Sequence, residues 1–170
     1  MAMVLDKIKD ITTLIFDVDG VFTDSTLLIT ESGELLRKMN VRDGYAIKKA
    51  VNAGFRVAII TGGGSEGVTK RLNGLGITDV FTRAQNKIEI YEAYLRDHQI
   101  PSSAVLYMGD DEMDIECLKA SGVACCPKDA DPSTHAHVDY ICEKLGGHGC
   151  VREVVQMVME VQEKWKAHNI

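Results

Sequence analysis

The chain lacks any apolar run long enough to cross a bilayer, and Met1–Thr13 contains nothing like the apolar centre of a secretory signal. A membrane partner or an exported protein is therefore not expected. Basic excess is missing too: the formal net charge is -6. Nucleic-acid binders usually carry a basic stripe, so that class is disfavoured. An anionic ligand is still open to an acidic chain, because a local lysine or cation can reverse the field. The five cysteines include no paired CxxC knuckles, and the adjacent Cys125 and Cys126 would point to opposite faces of a strand. They read as reduced, buried thiols of a cytoplasmic protein rather than a disulfide frame or redox centre. Internal repeats and low-complexity segments are absent as well. With 170 residues of ordinary composition, one compact domain over 1–170 is expected.

What is present is an alternation. Short apolar runs at Thr13–Phe16, Arg56–Ile60, Asp79–Thr82, Ala104–Met108 and Val123–Cys126 predict strands, with a final short one at Tyr140–Ile141. Helical patterns fill the intervals at Asp43–Ala53, Ser65–Leu75, Lys87–His98 and Glu112–Ala120, and a terminal helix is predicted over Val151–Ala167. Such alternation predicts an α/β fold, a Rossmann-like three-layer sandwich with a central parallel sheet. Ligands of these sheets bind beyond the carboxyl ends of the strands.

Val21–Arg42 breaks the rhythm. Thr26–Thr30 and Glu34–Met39 flank Glu31-Ser32-Gly33 and predict a β-hairpin, an insertion over about 24–41. Leu27, Leu28, Ile29, Leu35, Leu36 and Met39 make it more apolar than an exposed hairpin should be. It is either a flap folded onto its own domain or an assembly element.

Candidate chemistry gathers at the predicted strand ends. Asp17-Val18-Asp19-Gly20 follows the first strand, and residues two apart on a strand project the same way. Two carboxylates addressing one centre call for a cation or a proton. Thr61-Gly62 follows the second long strand, Lys87 opens a helix, and Gly109-Asp110-Asp111-Glu112-Met113-Asp114 follows the Val105–Met108 run. These parts fit phosphoryl transfer, which depends on positioning and charge neutralisation. Asp17 is the candidate nucleophile and Asp19 the acid/base. Asp17, the Asp19 backbone carbonyl and Asp110 are candidate oxygen ligands for Mg²⁺, with Asp114 behind them holding a coordinated water. Thr61 and Lys87 are placed to bind phosphoryl oxygens.

The four ordered pieces resemble the motifs of the haloacid dehalogenase superfamily, in its phosphatase branch. Asn40-Val41-Arg42-Asp43-Gly44-Tyr45, Gly109-Asp110-Asp111 and the tail Gly146-Gly147-His148-Gly149-Cys150-Val151-Arg152-Glu153 are similar to the capless subgroup that contains 3-deoxy-D-manno-octulosonate 8-phosphate phosphatase. The resemblance implies Mg²⁺-dependent hydrolysis of a sugar-acid phosphate. It implies a homotetramer built through the hairpin, with a neighbour completing each site and a Gly-rich tail and helix over 146–170. It places substrate contacts on Asn40, Val41, Arg42, Asp43, Gly44, Lys48, Gly62, Gly63 and Arg71, besides Asp19 and Lys87. Arg42 suits a carboxylate through its planar fork.

The chain departs from the subgroup at Gly63, where many relatives carry a charged side chain, and at His148, where relatives often have Arg. A glycine loop opening a helix can offer backbone N–H groups to an anion instead. A nonulosonate 9-phosphate is the alternative substrate, disfavoured because relatives with that preference carry an acid at the position of Gly63. A phospho-receiver module is a remoter alternative; it has no use for Asp19. His135-x-His137 reads as surface loop, and Trp165 as packing.

Overall fold

The computed structural model describes residues 2–165. In chain order the elements are helix α1 (Ala2–Ile8), strands β1 (Thr13–Phe16), β2 (Leu28–Ile29) and β3 (Leu35–Leu36), α2 (Val41–Asn52), β4 (Arg56–Ile60), α3 (Glu66–Gly74), β5 (Asp79–Phe81), α4 (Lys87–His98), β6 (Val105–Met108), α5 (Ile115–Ala120), β7 (Val123–Cys126), α6 (Pro132–His135), β8 (Tyr140–Ile141) and α7 (Cys150–Val161). Six strands form one parallel sheet in the order β5-β4-β1-β6-β7-β8, and β2 and β3 pair antiparallel by themselves.

The central strands are buried on both faces, which is why they read as unbroken apolar runs. Alternation divides their side chains between two cores. Leu14, Phe16, Val57, Ile59, Leu106 and Met108 pack with α2 and α7, where Ile47, Val154 and Val158 are fully buried. Ile15, Ala58, Ile60, Val105 and Tyr107 pack on the other face with Tyr91, Leu95 and Leu118 of α4 and α5. The three layers expected from the sequence are present.

The chain runs from β1 outward to β4 and β5, then returns past β1 to start β6 on its other side. The crevice for a ligand opens where the order reverses, at the carboxyl ends of β1, β4 and β6. In register, Phe16 lies beside Ile59 and Met108, so Asp17, the loop after Ile60 and the loop after Met108 leave the sheet together.

Three expectations need correction. The hairpin is real, turned at Gly33 with φ +84, but each strand has only two residues. The terminal helix stops at Val161, not Ala167: Gln162 turns back to donate to the carbonyls of Ile8 and Ile11, and Glu163 takes a positive φ. The end of the expected span, 166–167, lies outside the described residues. The helix expected over Glu112–Ala120 begins with a 3₁₀ turn, Glu112–Asp114, before α5. The helices α1 and α6 were not expected. Trp165, expected to pack, lies edge-on to Tyr45 at 6.4 Å. All five cysteines are free and buried, and no described helix is long and apolar enough to cross a membrane.

Candidate active site

Asp17 is the first residue past β1. Its N–H donates to the Met108 carbonyl, so the loop leaves the sheet already tied to β6. The chain then turns tightly, with the Val18 carbonyl accepting from the N–H groups of Val21, Phe22 and Thr23. Gly20 makes that turn at φ +88, and a Cβ there would run into the Asp110 carboxylate. A side chain at this position would thus close the gap between the two acidic loops.

Lys87 opens α4, where a cation opposes the helix dipole. The ammonium is buried and lies 2.9 Å from Asp17 Oδ2 and 2.8 Å from Asp114 Oδ1. Burial pushes its pKa down, but the two carboxylates outweigh that and the net direction is up. Asp114, fully buried, accepts at Oδ1 from Lys87 and the Tyr107 hydroxyl (2.7 Å), and at Oδ2 from the N–H groups of Asp110 and Asp111. Its two oxygens thereby fix Lys87 and the acidic loop beside the expected metal ligands. Thr61, buried at the end of β4, accepts from the Gly63 N–H at 3.2 Å.

These parts share one cavity of about 340 Å³, lined by Asp17, Asp19, Thr61, Gly62, Gly63, Lys87, Asp110 and Asp111, with Ser25, Leu27 and Met113 at its edge. The four pieces read from the sequence do converge. Oxygens of Asp17, Asp110 and Asp114 lie within 4.8 Å of one another. Burial, then repulsion from Asp114, raises Asp17 to about 6 despite the lysine. Burial, then the charges of Asp17 and Asp114, raises Asp110 to about 8. Asp17 Oδ1 and Asp110 Oδ1 are buried and receive no hydrogen bond among the described residues. Crowded, unneutralised carboxylate oxygens are the donor set of a hard divalent cation, so the residues fit Mg²⁺.

The other expected contacts stand elsewhere. Asn40 caps α2 by accepting from the Arg42 N–H, and donates to the Gly147 carbonyl. With Arg42 it lines a separate cavity of about 740 Å³ beside Lys144, His148 and Arg152. Val41 and Lys48 are exposed. Asp43, read as a substrate contact, is fully buried; its Oδ1 accepts from the Arg152 N–H at 2.7 Å, which pins α7 to α2, while its Oδ2 has no hydrogen-bond partner among the described residues. Gly44 lies against the Arg71 guanidinium, and Arg71 lines a third cavity, between β3 and α3. Much of α2 packs along α7, and its cap is tied through Gly147 to the loop after β1, with Gly147 N–H donating to the Val21 carbonyl.

Two site residues escaped the sequence reading. Tyr107 sits in a strand buried on both faces, where a hydroxyl needs a partner; that polar tip was the available signal. Arg37, on the hairpin, reaches the Asp19 carboxylate. His135 and His137 join no metal-ligating cluster among the described residues.

Comparison with known proteins bears on this geometry. Residues 43–127 match the family model of haloacid dehalogenase-like hydrolases. The chain is 37% identical over 163 residues to the 3-deoxy-D-manno-octulosonate 8-phosphate phosphatase of Escherichia coli strain K12, covering 96% of this chain and 87% of that one. The crystal structure of the Yersinia pestis 3-deoxy-D-manno-octulosonate 8-phosphate phosphatase superposes with a TM-score of 0.92 at 35% identity, covering 95% of this chain and 87% of the other. The Moraxella catarrhalis phosphatase of the same name, in complex with magnesium, phosphate and KDO, gives a TM-score of 0.94 at 29% identity over 97% of this chain and 95% of the other.

Proposed function

The chain belongs to the haloacid dehalogenase-like hydrolases and is a phosphatase, and we propose that it hydrolyses 3-deoxy-D-manno-octulosonate 8-phosphate to the free sugar acid and phosphate, with Mg²⁺. The observation that carries the reading is a buried, unpartnered Asp17 Oδ1 facing a cavity that also holds Asp19, Thr61 and Lys87. Asp17, Asp110 and the Asp19 backbone carbonyl would hold the cation, which supplies charge neutralisation for an incoming phosphate dianion.

Asp17 attacks phosphorus, forming an aspartyl phosphate as the ester P–O bond breaks. Asp19 delivers its proton to the departing alkoxide oxygen, then takes one from the water that attacks the aspartyl phosphate. The second attack breaks the bond to Asp17 and releases phosphate. Lys87, held between two carboxylates, and the Thr61 hydroxyl with the Gly62 N–H bind the phosphoryl oxygens as charge builds. Asp114 and Tyr107 keep Lys87 aimed. Uncatalysed phosphate monoesters are so slow that accelerations of up to ~10²¹-fold are needed, which is why nucleophile, acid/base and cation converge on one cavity.

Phosphate release across a panel of sugar phosphates tests this. With Mg²⁺ present, the eight-carbon acid phosphate is turned over with the highest kcat/KM, and chelation abolishes release until Mg²⁺ is restored. Preference for a nonulosonate 9-phosphate would overturn the assignment of substrate; turnover unaffected by chelation would overturn the metal.

The hairpin supports a second part of the reading: a homotetramer in the cytoplasm, assembled through this element. Leu28 and Ile29 are 68% and 65% exposed, with Leu27, Leu35 and Leu36 beside them. Two-residue strands cannot hold such a patch in water unaided. Light scattering is expected to give four chains per particle for the wild type, and a smaller particle for the Leu28→Lys, Ile29→Lys double variant. A monomeric wild type would sink this part.

A further inference from the structure

The second hairpin strand delivers a cation to the acid/base. Arg37 follows β3, and its side chain is only 8% exposed although the leucines before it are open to solvent. Its fork closes on Asp19: Nε donates to Oδ1 at 2.7 Å and Nη2 to Oδ2 at 3.0 Å, while Nη1 donates to the Leu35 carbonyl at 3.2 Å. Both oxygens of Asp19 are therefore engaged by one guanidinium. Arg37 also stands at a seam. On one side it lines a void of about 10 Å³ together with Asp19, Thr61 and Gly63. On the other it lines the cavity of about 890 Å³ between β3 and the start of α3, with Ser65 and Arg71. Gly63 leaves this seam clear, since a Cβ there would sit 3.1 Å from Asp19 Oδ2 and 3.2 Å from Arg37 Nη2.

Such a pair conflicts with the chemistry assigned to Asp19. A group that passes a proton to a leaving oxygen must bring one of its own oxygens against it. A bidentate ion pair holds both oxygens in the plane of the guanidinium. Turnover thus requires that Arg37 take another partner. A second carboxylate is the replacement that costs least: it reproduces the same two hydrogen bonds and leaves the buried guanidinium paired. The proposed substrate carries one, on the sugar portion that extends away from its phosphate. Asp19, with a side chain 37% exposed, can turn away from Arg37 without being buried elsewhere.

We propose that Arg37 recognises the carboxylate of the substrate, and that this carboxylate releases Asp19 by replacing it on the guanidinium. The inference rests on the reading of the substrate as a sugar-acid phosphate. The exchange makes and breaks no covalent bond. It turns substrate identity into a condition for proton transfer: a phosphate ester without a carboxylate reaches Asp17 but leaves Asp19 latched. Selectivity then appears in kcat as well as in KM.

The experiment compares 3-deoxy-D-manno-octulosonate 8-phosphate with its analogue in which the carboxylate is reduced to an alcohol, using wild type, Arg37→Met and Arg37→Lys. Wild type prefers the acid. Arg37→Met loses about 10- to 100-fold in kcat/KM on the acid, the range of a charged bidentate contact, while the alcohol, no longer meeting a latched Asp19, is hydrolysed faster; an unchanged rate on the alcohol would overturn the latch. Inhibition by free 3-deoxy-D-manno-octulosonate weakens in parallel. Arg37→Lys, which keeps the charge but not the fork, falls between, and its ratio decides the matter if the methionine variant does not fold. Equal losses on both substrates, or an unchanged preference, overturn the proposal while leaving the substrate assignment standing. A wild type that does not prefer the acid overturns that assignment, and this inference with it.

Discussion

With Asp17 replaced by Asn, phosphate release falls by about 10⁴-fold or more, the scale on which loss of a nucleophile is felt, and the protein stays folded. The amide matches the carboxylate in shape, the backbone N–H still donates to Met108, and Lys87 keeps Asp114 as its partner. The metal-free variant is expected to melt no lower than the wild type. Burial and the charge of Asp114 already lift Asp17 to about 6, so the folded protein holds this carboxylate ionised against its surroundings, and the neutral amide relieves that. Mg²⁺ raises the melting temperature of the wild type more than that of the variant, because one of its oxygen ligands is gone. Thermal melts with and without Mg²⁺, beside phosphate release, measure both halves. Near-wild-type turnover would remove Asp17 from the role.

Lys87→Met is expected to damage activity and stability together. Loss of the ammonium costs about 10²–10³-fold in kcat, as for removal of one charge-stabilising donor. It also leaves Asp17 and Asp114 facing each other, both buried, without a counter-charge. Breaking a buried pair from one side costs about 3–5 kcal/mol. The pH dependence has a definite sign. Asp17 has a folded pKa above its ordinary value, so between that value and about 6 the folded state binds more protons than the unfolded one, and stability falls as pH rises through this window. Lys87 supplies the main opposing influences; its removal carries the folded pKa higher and extends the window upward. Urea titrations are therefore expected to find the deficit of the variant largest near about pH 8 and smaller near about pH 5. A deficit independent of pH would mean that the lysine stem, not its charge, is what the interior needs.

The sheet was legible because its central strands are buried on both faces: Val57–Ile60 and Val105–Met108 have no polar face to disguise them. The catalytic residues were legible for a related reason. Asp17 and Thr61 directly follow such a run, Asp19 and Asp110 lie within three residues of one, and Lys87 opens the helix after the half-buried β5, so locating the strands located the side chains. What failed to show was everything that depends on segments folding back. Arg37 reaches Asp19 only because the hairpin returns across the loop after β1, and no spacing in Glu34–Met39 announces that. Asp43 looked like one more polar residue at a helix start; its burial arises from α7, more than a hundred residues later in the chain. The helix α1 was passed over for a simpler reason. Among its described side chains Val4 and Ile8, one turn apart, are the buried ones, too little periodicity to separate from loop.

The placement of β1 has a consequence for how the molecule comes into being. Thr13 pairs with Arg56 on one side and with Val105 on the other, so the innermost strand, made first on the ribosome, waits for partners made in the middle and late in synthesis. Parallel pairing of distant segments is slow, since the loops must close before the contacts reward them. The nascent chain carries Asp17 from the beginning, yet its cradle of Lys87, Asp110 and Asp114 exists only once β6 has docked. A shortened chain ending before β6 would thus be an unfinished sheet with an open edge beside β1, prone to pairing with its own copies, and would carry Asp17, Asp19, Thr61 and Lys87 without the Asp110 and Asp114 that complete the site.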